Sequence, residues 1–147
     1  AEAGQIADAL EAHAGAHEGV FPPAADVQAA VTPQLPGGAW PSQRWAPRGT
    51  TPLPAPLLTP GPELTWRDAS GPHPLAGALA TGTLPSLGPR GHVSLNAYGV
   101  PLGSFLYETD PARRRYVLYA VGGYALSDSP DGGVELPAIR LVRTNRP

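Results

Sequence analysis

Two histidines, one oxygen-rich loop and one run of arginines are the residues of this chain whose types and spacing could do chemistry. His13 and His17 stand four apart, a spacing that on a helix brings two imidazoles within reach of one metal ion. Glu18, next in line, points about 100° away on a helix of 3.6 residues per turn, so no third ligand lies nearby in sequence. The alternative is that both rings face the sheet or a neighbouring subunit. Ser127-Asp128-Ser129-Pro130-Asp131-Gly132-Gly133 gathers two carboxylates and two hydroxyls on one tight loop. Such hard oxygen donors suit Ca²⁺, and Asp128 and Asp131 are the candidate ligands. The spacing is not that of the twelve-residue calcium loop, and an ordinary Asp-Gly turn is the other reading. Arg113, Arg114 and Arg115 are the candidate nucleic-acid contacts, since adjacent guanidinium groups neutralise phosphates and give salt-dependent binding. Arg140, Arg143 and Arg146 would extend that patch if the last strand pairs with the strand at 115–121, with Tyr116, Tyr119 and Tyr124 near for stacking. Strand alternation sends neighbours to opposite faces, so all six cannot share one surface. A solvated basic edge that discourages strand-to-strand association is the plainer account.

Catalysis has little to build on. There is no G-x-S-x-G, no H-E-x-x-H, no Walker loop and no G-x-G-x-x-G. His73 and His92 lack an evident Ser and Asp arrangement, and Glu108 with Asp110 reads as a pair of acids at a turn. No enzyme and no required cofactor is expected, calcium being the one candidate ion. Cysteine is absent, which excludes disulfides, thiolate metal sites and cysteine nucleophiles. All ten basic residues are arginine, which also excludes lysine Schiff-base chemistry.

The elements that must position these residues follow from a chain of 147 residues, enough for one domain with a real core. Its 20 Pro and 18 Gly point to irregular structure, but 41% hydrophobic and 15% charged residues are wrong for wholesale disorder. A net charge of −2 gives no global field toward nucleic acid or membranes. Five acids and no arginine in residues 1–31 oppose six arginines and three acids in 112–147, which suggests polarity along the molecule, ordinary solvated faces being the plainer reading. No apolar run is long enough to span a bilayer. The chain opens at Ala1 inside a helical pattern with no N-cap before it, as expected of a truncated or processed product.

Residues 2–17 read as a helix with Ile6, Leu10, His13 and His17 on one face, Gly19 as its C-cap and Pro22-Pro23 barring continuation. A short second helix over 24–31 would turn Val27, Ala30 and Val31 inward and end at Pro33. Fourteen prolines between Thr32 and Pro101 disfavour long helices and central strands. Trp40, Trp45 and Trp66 are large enough to pin that connection to a core. Within it, 63–67 reads as a short strand, 75–80 as a helical turn and 50–62 as mobile and polyproline-like. Strands are expected at 92–98, 103–108, 115–121 and 136–142, with a turn at Thr109–Ala112. Short connections imply an antiparallel meander. The expected fold is α+β: residues 1–19 a helix, 20–90 a long Pro/Gly-rich connection, 91–147 a three- to four-stranded antiparallel sheet, all one domain with the helix covering one sheet face.

This order of elements resembles the soluble part of type IV pilin-like proteins, the family of type IV pilins, type II secretion pseudopilins and competence pilins. Gly19-Val20-Phe21-Pro22 is similar to the Gly-x-aromatic-Pro sequence that closes the long N-terminal helix in many members. Leu35-Pro36-Gly37-Gly38-Ala39-Trp40-Pro41-Ser42, followed by Trp45, resembles the Trp-Pro-x-x-Pro-aromatic loop after that helix. Tyr116–Gly123, with Asp128 and Asp131-Gly132-Gly133 beyond it, resembles the Tyr-x-Leu-x-x-x-Gly strand and Asp-Gly loop near the pseudopilin C-terminus. Members begin with an apolar segment of about 25 residues carrying a glutamate near its start, which is not in this sequence, and residues 46–90 are longer and richer in proline than the family's connection. The resemblance implies a structural subunit of a filament serving secretion, adhesion, motility or DNA uptake. It would be anchored in the bacterial inner membrane through the missing segment before assembly, and periplasmic or extracellular afterwards. Its partners would be other pilin-like subunits and the inner-membrane assembly machinery, and calcium in the 127–133 loop is a trait of some pseudopilins. The alternative is a minor pilin or secreted module that binds DNA or another ligand through the Arg-rich strand edge. The residues expected to carry the architecture are Ile6, Leu10, Phe21, Trp40, Trp45, Val117, Tyr119 and Val121.

Overall fold

In the computed structural model, which describes residues 2–42, 53–68, 70–82, 84–85, 93–96, 103–125 and 135–145, the chain opens with helix α1 (Glu2–Ala16). Alanine and leucine favour the helix. Ala3, Ile6, Ala7, Leu10 and Ala14 recur every three or four residues and form the buried face. Ile6 and Leu10 are fully buried, which stabilises by about 1.5–3 kcal/mol each. The alanines between them keep that face flat and let the helix approach closely. A 3₁₀ turn (Ala24–Asp26) leads into α2 (Val27–Val31), which buries Val27 and Val31 as expected. α2 ends at Val31, before Pro33, as expected. Pro33 sits in a separate 3₁₀ turn (Thr32–Gln34), where its missing N–H is harmless.

Among the described residues seven strands follow: β1 (Leu57–Leu58), β2 (Thr65–Asp68), β3 (Gly71–Pro74), β4 (Val93–Asn96), β5 (Phe105–Thr109), β6 (Tyr116–Ala125) and β7 (Glu135–Thr144), with α3 (Ala78–Thr81) between β3 and β4. Their order across the sheet is β1-β5-β6-β7-β4-β2-β3. The α+β class and the antiparallel centre β5-β6-β7-β4 agree with the sequence. Those four strands lie within 91–147 as expected, but β1, β2 and β3 from the connection extend the sheet, and the order is not a pure meander. β4 pairs with β7 rather than with β5, its successor in the chain, and β1 pairs with β5 in parallel. The additions come from the Pro-rich connection. Residues 53–58 are pinned rather than mobile: Ala55 N–H donates to Pro41 C=O (2.9 Å), Trp40 Nε1 to Ala55 C=O (2.8 Å) and Phe105 N–H to Pro56 C=O (2.8 Å).

Proline placement explains the sheet's outer edges. Leu75 N–H donates to Leu64 C=O (3.0 Å), so backbone groups of that parity face β2 and the nitrogens of Pro72 and Pro74 face outward. An edge without those donors cannot template another strand. At the opposite edge, the segment leading into β1 is covered by a bridge from Ser42 to Pro54.

Both sheet faces are buried. On one, α1 and α2 pack with Phe21 and Leu35 against Phe105, Tyr107, Tyr116 and Leu118. On the other, Leu64, Trp66, Leu75 and Leu79 pack against Leu106, Val117, Tyr119, Val121 and Ile139. β2 lies three strand spacings, roughly 14 Å, from β6 in a flat sheet. Trp66 nevertheless belongs to one apolar cluster with Val117, Tyr119 and Val121 of β6. A bulge between Leu118 and Tyr119 shifts the β6–β7 register, and Val142 then serves the helix side while Leu141 serves the other. Trp45 lies outside the described residues.

Candidate functional site

The residues that resemble the helix-closing sequence converge with the arginine turn at one corner of the molecule. α1 ends through Glu18, which takes a left-handed conformation (φ 59°), and Gly19, also left-handed (φ 80°), whose N–H donates to Ala14 C=O (2.7 Å). That six-to-one bond closes the helix as in a Schellman motif. The left-handed position just past the helix falls on Glu18, one residue before the glycine expected to supply it. The chain then turns onto the sheet. Phe21 N–H donates to Arg113 C=O (2.7 Å), and the Phe21 ring lies 4.6 Å from the Tyr116 ring. Tyr107 O–H donates to Pro22 C=O (2.7 Å) in a buried position, and Arg114 Nη1 donates to Glu18 C=O (3.2 Å).

Arg113, Arg114 and Arg115 form the end of the β5–β6 turn, and all three are exposed. Asp110 builds that turn: its Oδ1 accepts from the N–H of Arg114 (2.9 Å) and of Arg115 (3.0 Å). Arg113 occupies the left-handed region (φ 57°). The larger arginine patch does not assemble with Arg143. That side chain turns to the helix instead, donating to Asp8 Oδ1 (2.5 Å) and Glu11 Oε2 (3.0 Å). These two carboxylates hold its pKa above the ordinary arginine value. Glu11 also accepts from Tyr116 O–H (3.1 Å). The acidic start and basic end of the chain therefore meet, and the expected polarity is partly closed on itself. The Arg140 side chain and Arg146 lie outside the described residues, as do Asp128, Asp131 and the whole 127–133 loop.

Neither of the acids at the β5 end is idle. Both Glu108 carboxylate oxygens accept from Gly77 N–H (3.1 Å each) and so tie β5 to the start of α3. His13 and His17 do not pack into the sheet. Their rings stack on one another, centroids 3.9 Å apart and planes 14° from parallel, with His17 exposed. His17 Nδ1 donates to His13 C=O (2.7 Å). Partial burial, then the neighbouring His17, lowers the His13 pKa below 6.5. Among the described residues no three His, Asp or Glu side chains cluster to hold a metal ion. An open groove of about 580 Å³ runs beside Trp40 between Gln28, Thr32, Pro33 and Pro54.

The sequence reading missed the pairing of Arg143 with Asp8 and Glu11 and the turn-building role of Asp110. The first had a signal: two acids three apart on a helix face a chain end of opposite sign. The second had one too, an Asp at the head of a four-residue turn. No family model, curated protein or solved structure matches the chain.

Proposed function

We propose that this chain is the globular part of a type IV pilin-like filament subunit, a structural protein rather than an enzyme. The observation that carries this reading is the joint between α1 and the sheet. A subunit that polymerises through its N-terminal helix has to pass load from helix to globular domain without the two separating. Here the helix is held along its length by Arg143 and Tyr116, and at its end by Phe21, Tyr107, Arg113 and Arg114. Both sheet edges are blunted, which favours assembly through helix packing over strand addition. Inner-membrane anchoring before assembly, an envelope location and partners of the same fold class belong to this proposal.

The test is the sequence of the precursor upstream of Ala1, together with antibody labelling of filaments sheared from the source cell. An apolar segment of about 25 residues with a glutamate near its start, and labelled filaments, are the expected results. A cleavable signal peptide ending near Ala1 and unlabelled filaments overturn the proposal.

A second reading rests on the exposure of Arg113, Arg114 and Arg115 at one turn: a minor pilin or secreted module that holds DNA there. Duplex retention at low salt that weakens steeply as salt rises is expected, with loss in the triple alanine variant. No retention at low salt eliminates this reading. Calcium at Asp128 and Asp131 is tested separately by calorimetric titration with Ca²⁺.

A further inference from the structure

The stacked imidazoles on α1 serve no role in the joint described above. His17 Nδ1 donates to a carbonyl oxygen, which can only accept, so this nitrogen carries the ring proton and Nε2 bears the lone pair. An imidazole whose one nitrogen is fixed by a backbone carbonyl, leaving the other free, is the usual arrangement of a histidine metal ligand. The second ring lies alongside, 3.9 Å between centroids. Two metal–nitrogen bonds of about 2.0–2.1 Å place their nitrogens roughly 3 Å apart. His17 stays on its carbonyl, and rotation of the His13 ring about its broad χ2 torsion takes it out of the stack and turns one of its nitrogens toward an ion on His17 Nε2.

We propose that His13 and His17 form a two-imidazole site for a divalent transition metal, Cu²⁺ above all, at the C-terminal end of α1, with His13 in its last turn and His17 just past it. Imidazole suits copper, nickel and zinc, and copper binds tightest in that series. Two protein ligands leave the remaining positions to water, so the ion is exchangeable. By bridging residues one turn apart, it staples the helix where Gly15 and the left-handed Glu18 make it weakest.

The experiment is titration of the full chain with Cu²⁺ alone in a non-coordinating buffer, followed by calorimetry and electron paramagnetic resonance. One equivalent with the hyperfine pattern of two nitrogen ligands is expected. His13→Gln and His17→Gln should each weaken binding about tenfold or more, whereas His73→Gln and His92→Gln should leave it unchanged. The melting temperature should rise with free metal and cease to do so in the double His13→Gln/His17→Gln variant. Affinity that survives in that double variant overturns the proposal and points to the chain's amino end or another histidine. Because either substitution could loosen the helix end, the unsubstituted protein supplies a second test. Substoichiometric Cu²⁺ should broaden the His13 and His17 imidazole resonances first, and earlier broadening at any other site overturns the assignment.

Discussion

The two faces of the sheet are both covered by apolar structure but are held in different ways. On the helix side the polar atoms of the packed aromatics meet partners: Tyr107 O–H at Pro22 C=O, Tyr116 O–H at Glu11, Trp40 Nε1 at Ala55 C=O. On the hairpin side, Trp66 Nε1 and Tyr119 O–H are buried with no partner among the described residues. The Trp66 ring instead lies against the His73 ring, 4.6 Å between centroids and tilted by 31°. Hydrogen bonds are directional and hydrophobic burial is not. The helix is therefore fixed in register and angle, while the β2–β3 hairpin and α3 pack against the sheet largely through apolar area, with Glu108 tying the start of α3 to β5.

The largest effect that would test this contrast is Trp66→Ala. Loss of a fully buried indole is expected to cost about 3–5 kcal/mol, read as a lower denaturant midpoint. A loss under about 1 kcal/mol would mean that the hairpin side contributes little and the contrast is wrong.

Removing single hydroxyls sharpens it. Tyr107→Phe and Tyr116→Phe should each cost about 1 kcal/mol, because each strands an acceptor, whereas Tyr119→Phe should be neutral or stabilising. Equal losses in all three would show that Tyr119 has a partner after all. The same three phenols link stability to pH. Burial raises the pKa of each above the ordinary 10.0, aided at Tyr116 by Glu11 and at Tyr119 by Glu108 and opposed at Tyr107 by Arg113. With the folded value above the unfolded one, their contribution is complete below pH 10 and is lost as pH rises beyond it. Absorbance titration at alkaline pH should show them ionising only with unfolding.

Arg143→Gln comes next. Its two ion pairs are partly exposed, so a loss of about 0.5–1 kcal/mol is expected, shrinking at high salt. A salt-independent loss would assign the effect to packing of the arginine stem. The smallest change is Glu18→Gly. Relief of the left-handed strain should stabilise by about 0.5–1 kcal/mol. Destabilisation there would mean that the Glu18 side chain contributes to the joint more than its backbone strain costs.

Legibility in the sequence followed the range of the interactions. The Ala3–Ala14 face of α1, the short α2 and the β-branched run of β6 were readable because helix and strand periods are local. The Gly19–Pro22 sequence was readable as a stop, but not as a dock, since Tyr107 and Arg113 that receive it lie far along the chain. β3 was not legible at all: Gly-Pro-His-Pro becomes a strand only because its proline nitrogens face outward at an edge. The second covered face left a trace, for Tyr116 to Val121 is apolar at every position. Such a run is characteristic of a strand buried on both sides, and its partners were hidden in the Pro-rich connection.

By itself the sequence determined the helices, the central strands, the α+β class and the absence of thiol and lysine chemistry, because composition and nearest-neighbour period set all of these. Only the tertiary structure decided which arginine meets the helix acids, which residues dock the helix end, that His13 and His17 stack, and that proline-rich segments form the sheet's two edges. Those are contacts between residues as many as 135 positions apart, as for Asp8 and Arg143. Chain closure over such distances follows the summed burial of the whole core, and no local pattern records it.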